Sequence, residues 1–507
     1  MASRESNLFA AFQAAFPEDR SRTCLIAEGG RAFSYGDLET ASARYAALLR
    51  LHGVAPGDRV TAQIDKSPDA LFLYLACLRV GAIFMPLNSL YTEAELDYFL
   101  SDAEPRLVVG TPKACSWLRP LLADRAILLS LDAEGAGSLA EQATALAPDP
   151  ILAATSDADV AAMVYTSGTT GRSKGAMLTH RNLIANARTL TKLWGFSDRD
   201  VLLHCLPIFH VHGLFVALGC ALLSQARILF HAGFDAERAL AAMAEATVFM
   251  GVPTYYTRLL ALPGLSVARM APMRLFISGS APLLPETFTA FRQRTGHVIL
   301  ERYGMTETGM NCSNPLDGER RMGTVGLPLP GVELRIADEL GGKLPAGAVG
   351  IVEVRGDNVL KGYWRNPLKT RDSFRDDGFF ITGDVARQDA DGYVTIVGRA
   401  SDMIISGGYN VYPKEVETLL DSLPGIVESA VIGVPHPDFG EAVVAVIRRQ
   451  SGQQPLPEAD LIACLRQKLA AFKLPKKLVF VEDLPRNAMG KVLKAELRRT
   501  HAGLFQP

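Results

Sequence analysis

Short apolar runs and helical patterns alternate along most of the chain. The segments LFLYLACL, AIFMPL, RLVVG, AILLSL and AAMVYTSG read as buried strands. Between them stand stretches such as ETASARYAALLRLHG and EAELDYFLSD, whose apolar residues recur every three or four positions. Strands apolar along their whole length, separated by amphipathic helices, predict largely parallel sheets covered on both faces, an α/β fold. Leu275 to Ser278 is a further expected strand, ending in small residues. From about Gly323 the texture changes to short runs broken by Gly, Asp and Pro, among them VELRIAD, GIVEVRG, FFITGD and YVTIVG, which predict a small antiparallel sheet or barrel. After GRASDMIISGGYN, the order helix (PKEVETLLDSL), strand (ESAVIGV), strand (EAVVAVI), helix (EADLIACLRQKLAAF), strand (KLVFVEDL) predicts a small α+β domain. The expected division is a large domain of residues 1–400 and a small one of residues 401–507. The Ala/Gly-rich stretch from Asp132 to Ala154 reads as a surface connection.

Composition narrows the functional classes. A chain of 507 residues exceeds what one core usually holds, which supports the two-domain reading. With 52 Lys plus Arg against 54 Asp plus Glu, no net field favours nucleic acid or a membrane surface, so neither partner is expected. The longest apolar run, Gly213 to Leu223, has 11 residues and is too short to span a bilayer. The first twenty residues lack a long apolar stretch and carry Glu5, Glu18 and Asp19, so a cytoplasmic location is expected. Seven scattered cysteines without a CxxC pair read as reduced thiols, not as disulfide or zinc ligands.

The chemistry is concentrated in a few motifs. After the run AAMVY comes Thr166-Ser167-Gly168-Thr169-Thr170-Gly171-Arg172-Ser173-Lys174-Gly175. Glycines let backbone N–H groups approach phosphates, hydroxyls add donors, and the lysine adds a point charge, so the loop reads as a phosphate cradle. The spacing of Gly168, Gly171 and Lys174 does not match GxxxxGK[ST], which excludes a Walker-type loop.

With that loop stand Glu301-Arg302-Tyr303-Gly304-Met305-Thr306-Glu307, Thr382-Gly383-Asp384, Gly398-Arg399 with Asp402, Gly407-Gly408, and Pro485-Arg486-Asn487-Ala488-Met489-Gly490-Lys491. In this order the motifs resemble those of the adenylate-forming enzymes, the family of acyl-CoA synthetases, aryl-CoA ligases, luciferases and peptide-synthetase adenylation domains. The resemblance implies a two-step ligation: a carboxylate and ATP give an acyl-AMP and pyrophosphate, then the thiol of CoA gives a thioester and AMP. It implies ATP and Mg²⁺ at the site and small molecules as the partners. Lys491 would be the cation on the reacting α-phosphate and carboxylate, and Glu307 the Mg²⁺ ligand with Thr166 nearby. Asp384 would accept the ribose hydroxyls, with Arg399 as a second ribose or phosphate contact. Ser280-Ala281-Pro282 and Tyr303-Gly304 would sandwich the adenine, Thr306 would stand in the same ATP segment, and Glu301 would support it. Ser401 marks the expected hinge of the small domain at a position where the family commonly has Asp or Lys, and Gly407-Gly408 would line the path of the CoA thiol.

The acyl pocket is expected from Pro207 to Gly213, from Gly251 to Arg258, and from Ser278-Gly279-Ser280. His210 would stand beside the reacting carboxylate, with a core histidine as the alternative, and His212 would belong to the same carboxylate pocket. Arg258 would meet a second carboxylate if it lines the pocket, or is a helix-surface charge if it does not. A charge-assisted contact contributes ~1.5–3 kcal/mol, whereas a guanidinium buried against an alkyl chain costs ~3–5 kcal/mol. A short dicarboxylate is therefore expected, malonate above all, with methylmalonate also accepted. Two alternatives stand beside it: a general short-chain acyl- or aryl-CoA ligase, and an adenylation module that loads a carrier protein. Lys491, on a glycine-containing loop, is also the expected target of a lysine acetyltransferase and deacetylase.

Overall fold

A computed structural model describes residues 6–123, 125–166, 173–407, 409–450, 456–487 and 490–505. Among these residues the strands form four sheets. In the largest, strands Leu300–Met305, Leu275–Ser278, Val248–Gly251, Val201–His204, Arg227–Phe230 and Thr23–Ala27 lie side by side and parallel. Antiparallel strands Gly309–Ser313 and Ala32–Ser34 flank them. The second sheet runs parallel through Val160–Thr166, Ile83–Pro86, Arg59–Gln63, Leu107–Gly110 and Ile127–Ser130, with Lys174–Thr179 added antiparallel. The predicted α/β architecture is present.

The segment LFLYLACL corrects the strand reading. It lies in the helix Pro68–Val80, whose N-cap Ser67 accepts a hydrogen bond from the Ala70 N–H and whose chain exits through Gly81 in the left-handed region. Pro68 at the first turn and Gly81 at the end are helix boundaries, while apolar residues on every side suit a helix covered all round. Its buried residues pack in one core with Val60, Phe84 and Ala162 of one sheet and Leu25, Leu202, Ile228 and Ile277 of the other, so the helix fills the space between the two sheets. The stretch from Asp132 to Ala154 also departs from expectation: it contains the helix Ser138–Thr144, anchored by buried Leu139 and Ala143 one turn apart.

Beyond Gly323, strands Val332–Ala337, Val349–Gly356, Phe380–Gln388 and Val394–Arg399 form an antiparallel sheet. It delivers Asp384 opposite Arg399 in register. The small C-terminal domain has its own cores around Val431, Val443, Leu461 and Leu465, and around Ile432, Val444 and Leu497. Its order of helix, two strands, helix and strand follows the prediction, with the hairpin Ile404–Ser406 and Tyr409–Val411 before it and the helix Lys494–His501 after it. All seven cysteines are free thiols.

Candidate active site

Two parallel strands of the large sheet, Leu275–Ser278 and Leu300–Met305, carry predicted site residues at and just beyond their C-terminal ends, where open α/β sheets place ligands. One side of the cluster is held by a network of paired side chains. Tyr303, on Leu300–Met305, donates its hydroxyl to Asp384 Oδ2 at 2.5 Å. Asp384 Oδ1 lies 3.0 Å from Arg399 Nε, and Thr382 orients the turn by accepting the Asp384 N–H while donating to the Val352 carbonyl. The Asp384 carboxylate beside it holds Arg399 above the ordinary arginine range. Gly304 continues the Tyr303 strand opposite Met310, and Thr306 follows, half-buried, in the turn to Glu307.

Glu307 is buried, and its Oε1 accepts the hydroxyls of Thr166, at 3.0 Å, and Tyr363, at 3.2 Å. Burial raises its pKa, opposed by these bonds and by the charge of Arg399. A desolvated carboxylate among hydroxyls is a site that a cation would relieve, and Mg²⁺ is commonly held by one or two carboxylates with phosphate oxygens and water. Lys174 opens the strand after the phosphate loop, with its ammonium 5.9 Å from the Tyr363 ring centroid. Burial, then the like charge of Lys369, lowers its pKa. Ser167, Gly168, Thr169, Thr170 and Gly171 lie outside the described residues, as does Gly408.

The other side is rich in polar atoms without partners. Arg302 is only 3% exposed, and its Nε and Nη2 have no hydrogen-bond partner among the described residues. Its pKa falls to about 9 because water is excluded from it. The guanidinium lies flat over Gly279, where any Cβ would come within 2.4 Å of Cζ, so glycine is required for that approach. His210, half-buried, has its pKa lowered to about 4 by burial and then by Arg302. His212 is pushed further down by the same causes and by its neighbouring histidines. Its Nδ1 lies 3.3 Å from Ser280 Oγ, and its backbone N–H donates to His210 Nδ1 at 3.3 Å, while Nε2 has no partner among the described residues. Ser278 Oγ is also buried and has no partner among the described residues. Ser280 adopts a φ of 70°, which turns the chain sharply as it leaves the strand, followed by half-buried Ala281 and exposed Pro282.

Arg302 is the residue that sequence reasoning missed. It stood inside the motif Glu301-Arg302-Tyr303, and the available signal was period two: with Glu301 and Tyr303 turned to one face, Arg302 must turn to the other. Burial raises the pKa of Glu301 to about 8, eased by the nearby N–H groups of Gly323 and Leu283 and by Lys414 of the small domain, and its Oε1 has no hydrogen-bond partner among the described residues. Arg258 is exposed on the helix Pro253–Leu260, without an ion-pair partner among the described residues. It lies one turn from Thr254, against which Gly490 packs. Arg258 thus shares a helix face with the contact to the Lys491 loop. Arg274, a further arginine near the strand Leu275–Ser278, is committed elsewhere, to Asp200 at 2.6 Å and the carbonyls of Trp194 and Gly195.

The small domain completes the site. Gly490 has φ 72°, and a Cβ there would meet Thr254 Oγ1 at 2.9 Å, so the loop can lie this close only with glycine. Arg486 donates to the Gly490 carbonyl at 2.8 Å and pairs with Glu428, while the Lys491 N–H donates to Asn487 Oδ1. Lys491 is exposed. The surrounding protein and the charge of Arg399 nonetheless lower its pKa, against the pull of Asp384 and Asp402. Ser401 is exposed in the 3₁₀ turn Ala400–Asp402, which Asp402 ties to Arg498 at 2.6 Å. Gly407, with φ 59°, donates its N–H to the Phe439 carbonyl.

Residues 12–364 match the AMP-binding enzyme family, and residues 415–491 match the AMP-binding enzyme C-terminal domain. The chain belongs to the AMP-binding enzyme family. Within it, the fold is similar to the crystal structure of ATP-bound MatB from Rhodopseudomonas palustris, with 50% identity and a TM-score of 0.97 over 99% of this chain and 100% of that one. The apo form of the same protein, at equal identity and coverage, gives 0.85. A malonate–CoA ligase of Arabidopsis thaliana is 35% identical over 98% of this chain and 90% of its own length. A feruloyl-CoA synthase of Amycolatopsis is 37% identical over 94% of this chain and 95% of its own. Among the described residues of this AMP-binding enzyme, no helix is long and apolar enough to cross a membrane.

Proposed function

We propose that this enzyme is a malonate–CoA ligase, forming malonyl-AMP from malonate and ATP and then malonyl-CoA, with methylmalonate also accepted. The observation that carries the reading is the buried Arg302 guanidinium, whose Nε and Nη2 have no hydrogen-bond partner among the described residues and whose charge acts on His210 and His212. A distal carboxylate there forms a charge-assisted contact that contributes ~1.5–3 kcal/mol. An alkyl or aryl chain leaves the same cation unpaired. The two imidazoles, both held neutral, leave Arg302 as the charged partner inside the pocket, and Arg258 supplies a second, solvent-screened charge at its mouth. The similarity to MatB and to a malonate–CoA ligase supports the same substrate.

In the first half-reaction a carboxylate oxygen of malonate bonds to the α-phosphorus and the bond to the β-phosphate bridging oxygen breaks, releasing pyrophosphate. Lys491 places positive charge on the α-phosphate and carboxylate as charge accumulates there. Asp384, oriented by Tyr303 and Arg399, holds the ribose hydroxyls, and the loop of residues 166–175 with Lys174 receives the departing phosphates. Ser280, Ala281, Pro282, Tyr303 and Gly304 enclose the adenine. Glu307 and Thr166 would hold Mg²⁺, whose chemistry is to neutralise charge on the phosphate oxygens. In the second half-reaction the CoA sulfur bonds to the acyl carbon, its proton passes to solvent, and AMP leaves. Gly407 and Gly408 line the thiol path, with Ser401 as the hinge that exchanges Lys491 for this segment. We place the boundary between the domains at residues 400 and 401. Acetylation of Lys491 would delete its charge and stop the first half-reaction, so an acetyltransferase and a deacetylase are proposed partners.

Pyrophosphate release, measured with malonate, methylmalonate, acetate, butyrate and coumarate, with and without CoA, tests this. Malonate should lead, with malonyl-CoA as product. Preference for butyrate or coumarate would overturn the substrate in favour of a general acyl- or aryl-CoA ligase, and turnover indifferent to CoA would favour carrier loading.

A further inference from the structure

Outside the ATP and carboxylate contacts, one buried polar chain has no role in the reaction described above. Lys66 lies in the loop between the strand Arg59–Gln63 and the helix Pro68–Val80, and is 9% exposed. Its Nζ is 2.7 Å from His204 Nδ1 and 2.8 Å from the His204 carbonyl, and 4.4 Å from the centre of the Phe230 ring. Among the described residues it makes no ion pair with a carboxylate. His204, the last residue of Val201–His204 and 1% exposed, places Nε2 2.9 Å from the Gly213 carbonyl.

The hydrogens follow from the partners. A carbonyl only accepts, so His204 Nε2 carries the hydrogen and Nδ1 is bare, and the Lys66 ammonium donates to that bare nitrogen. The lysine thereby selects one tautomer and ring orientation. The far end of the chain is the turn that carries the carboxylate pocket. Gly213 is already pressed against the Pro207 carbonyl, where a Cβ would come within 2.1 Å. Its own carbonyl accepts the Leu218 N–H across the wide turn of the π-helix His212–Ala217, and His204 supplies a second hydrogen bond. His212 is the adjacent residue, and His210 is bridged to Leu214 by a backbone hydrogen bond.

We propose that Lys66 and His204 are positioning residues for the carboxylate pocket: Lys66 sets the His204 imidazole, and His204 pins Gly213 so that His210 and His212 stand against Arg302. They act through Gly213 and touch no substrate, and the proposal rests on the malonate reading for the identity of the acid. A displacement of about 1 Å in such a turn can change the rate by ~10²-fold. The effect should fall on the carboxylate and spare the nucleotide, because Tyr303, Asp384 and Arg399 do not depend on the turn.

Three variants test it by steady-state kinetics alongside thermal unfolding. His204→Asn retains an acceptor near Nδ1 but cannot reach Gly213, and should raise the KM for malonate about tenfold with the KM for ATP within about twofold. His204→Gln carries its amide nitrogen out to the position of Nε2 and should recover most of that loss. Lys66→Met, which removes the donor at similar volume, should match His204→Asn, with the double variant no worse than either single one. Equal changes in the KM for malonate and ATP, a Gln variant as poor as the Asn variant, or additive losses would each overturn the proposal. If Lys66→Met does not fold, the Asn and Gln pair decides. The acid preferred by the unmodified enzyme tests the malonate reading separately, and the variants are then read with that acid.

Discussion

The two sides of the cleft, proposed above to hold the nucleotide and the carboxylate, are built from the same strand, Leu300–Met305, yet satisfy their polar groups in different ways. Tyr303 turns to one face and finds Asp384, which in turn holds Arg399, so each of these side chains has a hydrogen-bond or ionic partner. Arg302 turns to the other face and, among the described residues, finds none for Nε and Nη2, as do Ser278 Oγ and His212 Nε2 nearby. Buried polar groups are normally hydrogen-bonded, so a local concentration of unpartnered ones marks where a ligand supplies the partners. A paired network pre-organises a site for a ligand common to the family. An unpaired cation selects among ligands by the penalty it places on the wrong one.

The largest effect should come from the group that serves both sides. Lys491→Ala should slow acyl-AMP formation by ~10²–10³-fold or more, while thioester formation from preformed malonyl-AMP persists. Comparing pyrophosphate release with thioester synthesis checks this, and wild-type release of pyrophosphate would remove Lys491 from the mechanism. Arg302→Met should come next, raising the KM for malonate ~10–100-fold and leaving the KM for ATP in place. A parallel rise in both constants would erase the distinction between the two sides.

A smaller effect separates the sides by pH. Burial raises Glu301 to about 8, well above a free carboxyl. The folded state therefore keeps its proton where the unfolded state has lost it, and stability falls as pH rises between ~4.5 and 8, by at most ~1.4 kcal/mol per pH unit. Glu301→Gln should flatten that part of the melting-temperature profile, and an unchanged slope would show that Glu301 does not carry it. Arg258→Ala should have the smallest effect, a rise of ~2–5-fold in the KM for malonate, because water screens an exposed charge. If Arg258→Ala equals Arg302→Met, the mouth of the pocket selects the acid as strongly as its buried wall.

Much of the nucleotide side was legible in the residues, because its motifs are contiguous and each glycine or hydroxyl has a local reason to stand where it does. Asp384 and Arg399 could be named from their motifs, but their pairing belongs to the register of two antiparallel strands. The helix Pro68–Val80 was misread as a strand because an apolar run without polar interruption has no period, and its caps at Ser67, Pro68 and Gly81 were the stronger signal. On the carboxylate side, Arg258 stood out in sequence because its helix was otherwise uncharged, while Arg302 was hidden among conspicuous neighbours.

By itself, then, the order of residues determined the α/β class and the order of elements at the C-terminal end, and it raised the expectations of a phosphate loop and of roles for Glu307, Asp384, Arg399 and Lys491. Periodicity, caps and short-range motifs are properties of local chain geometry, and they survive without knowledge of what packs against them. Only the tertiary structure decided which arginine is stripped of water, that Gly279 lets it lie flat, that Arg274 is already committed to Asp200, and that Lys66 reaches His204 across 138 positions. Desolvation and pairing depend on neighbours brought together from distant parts of the chain, and no local pattern encodes how much water a charge will lose.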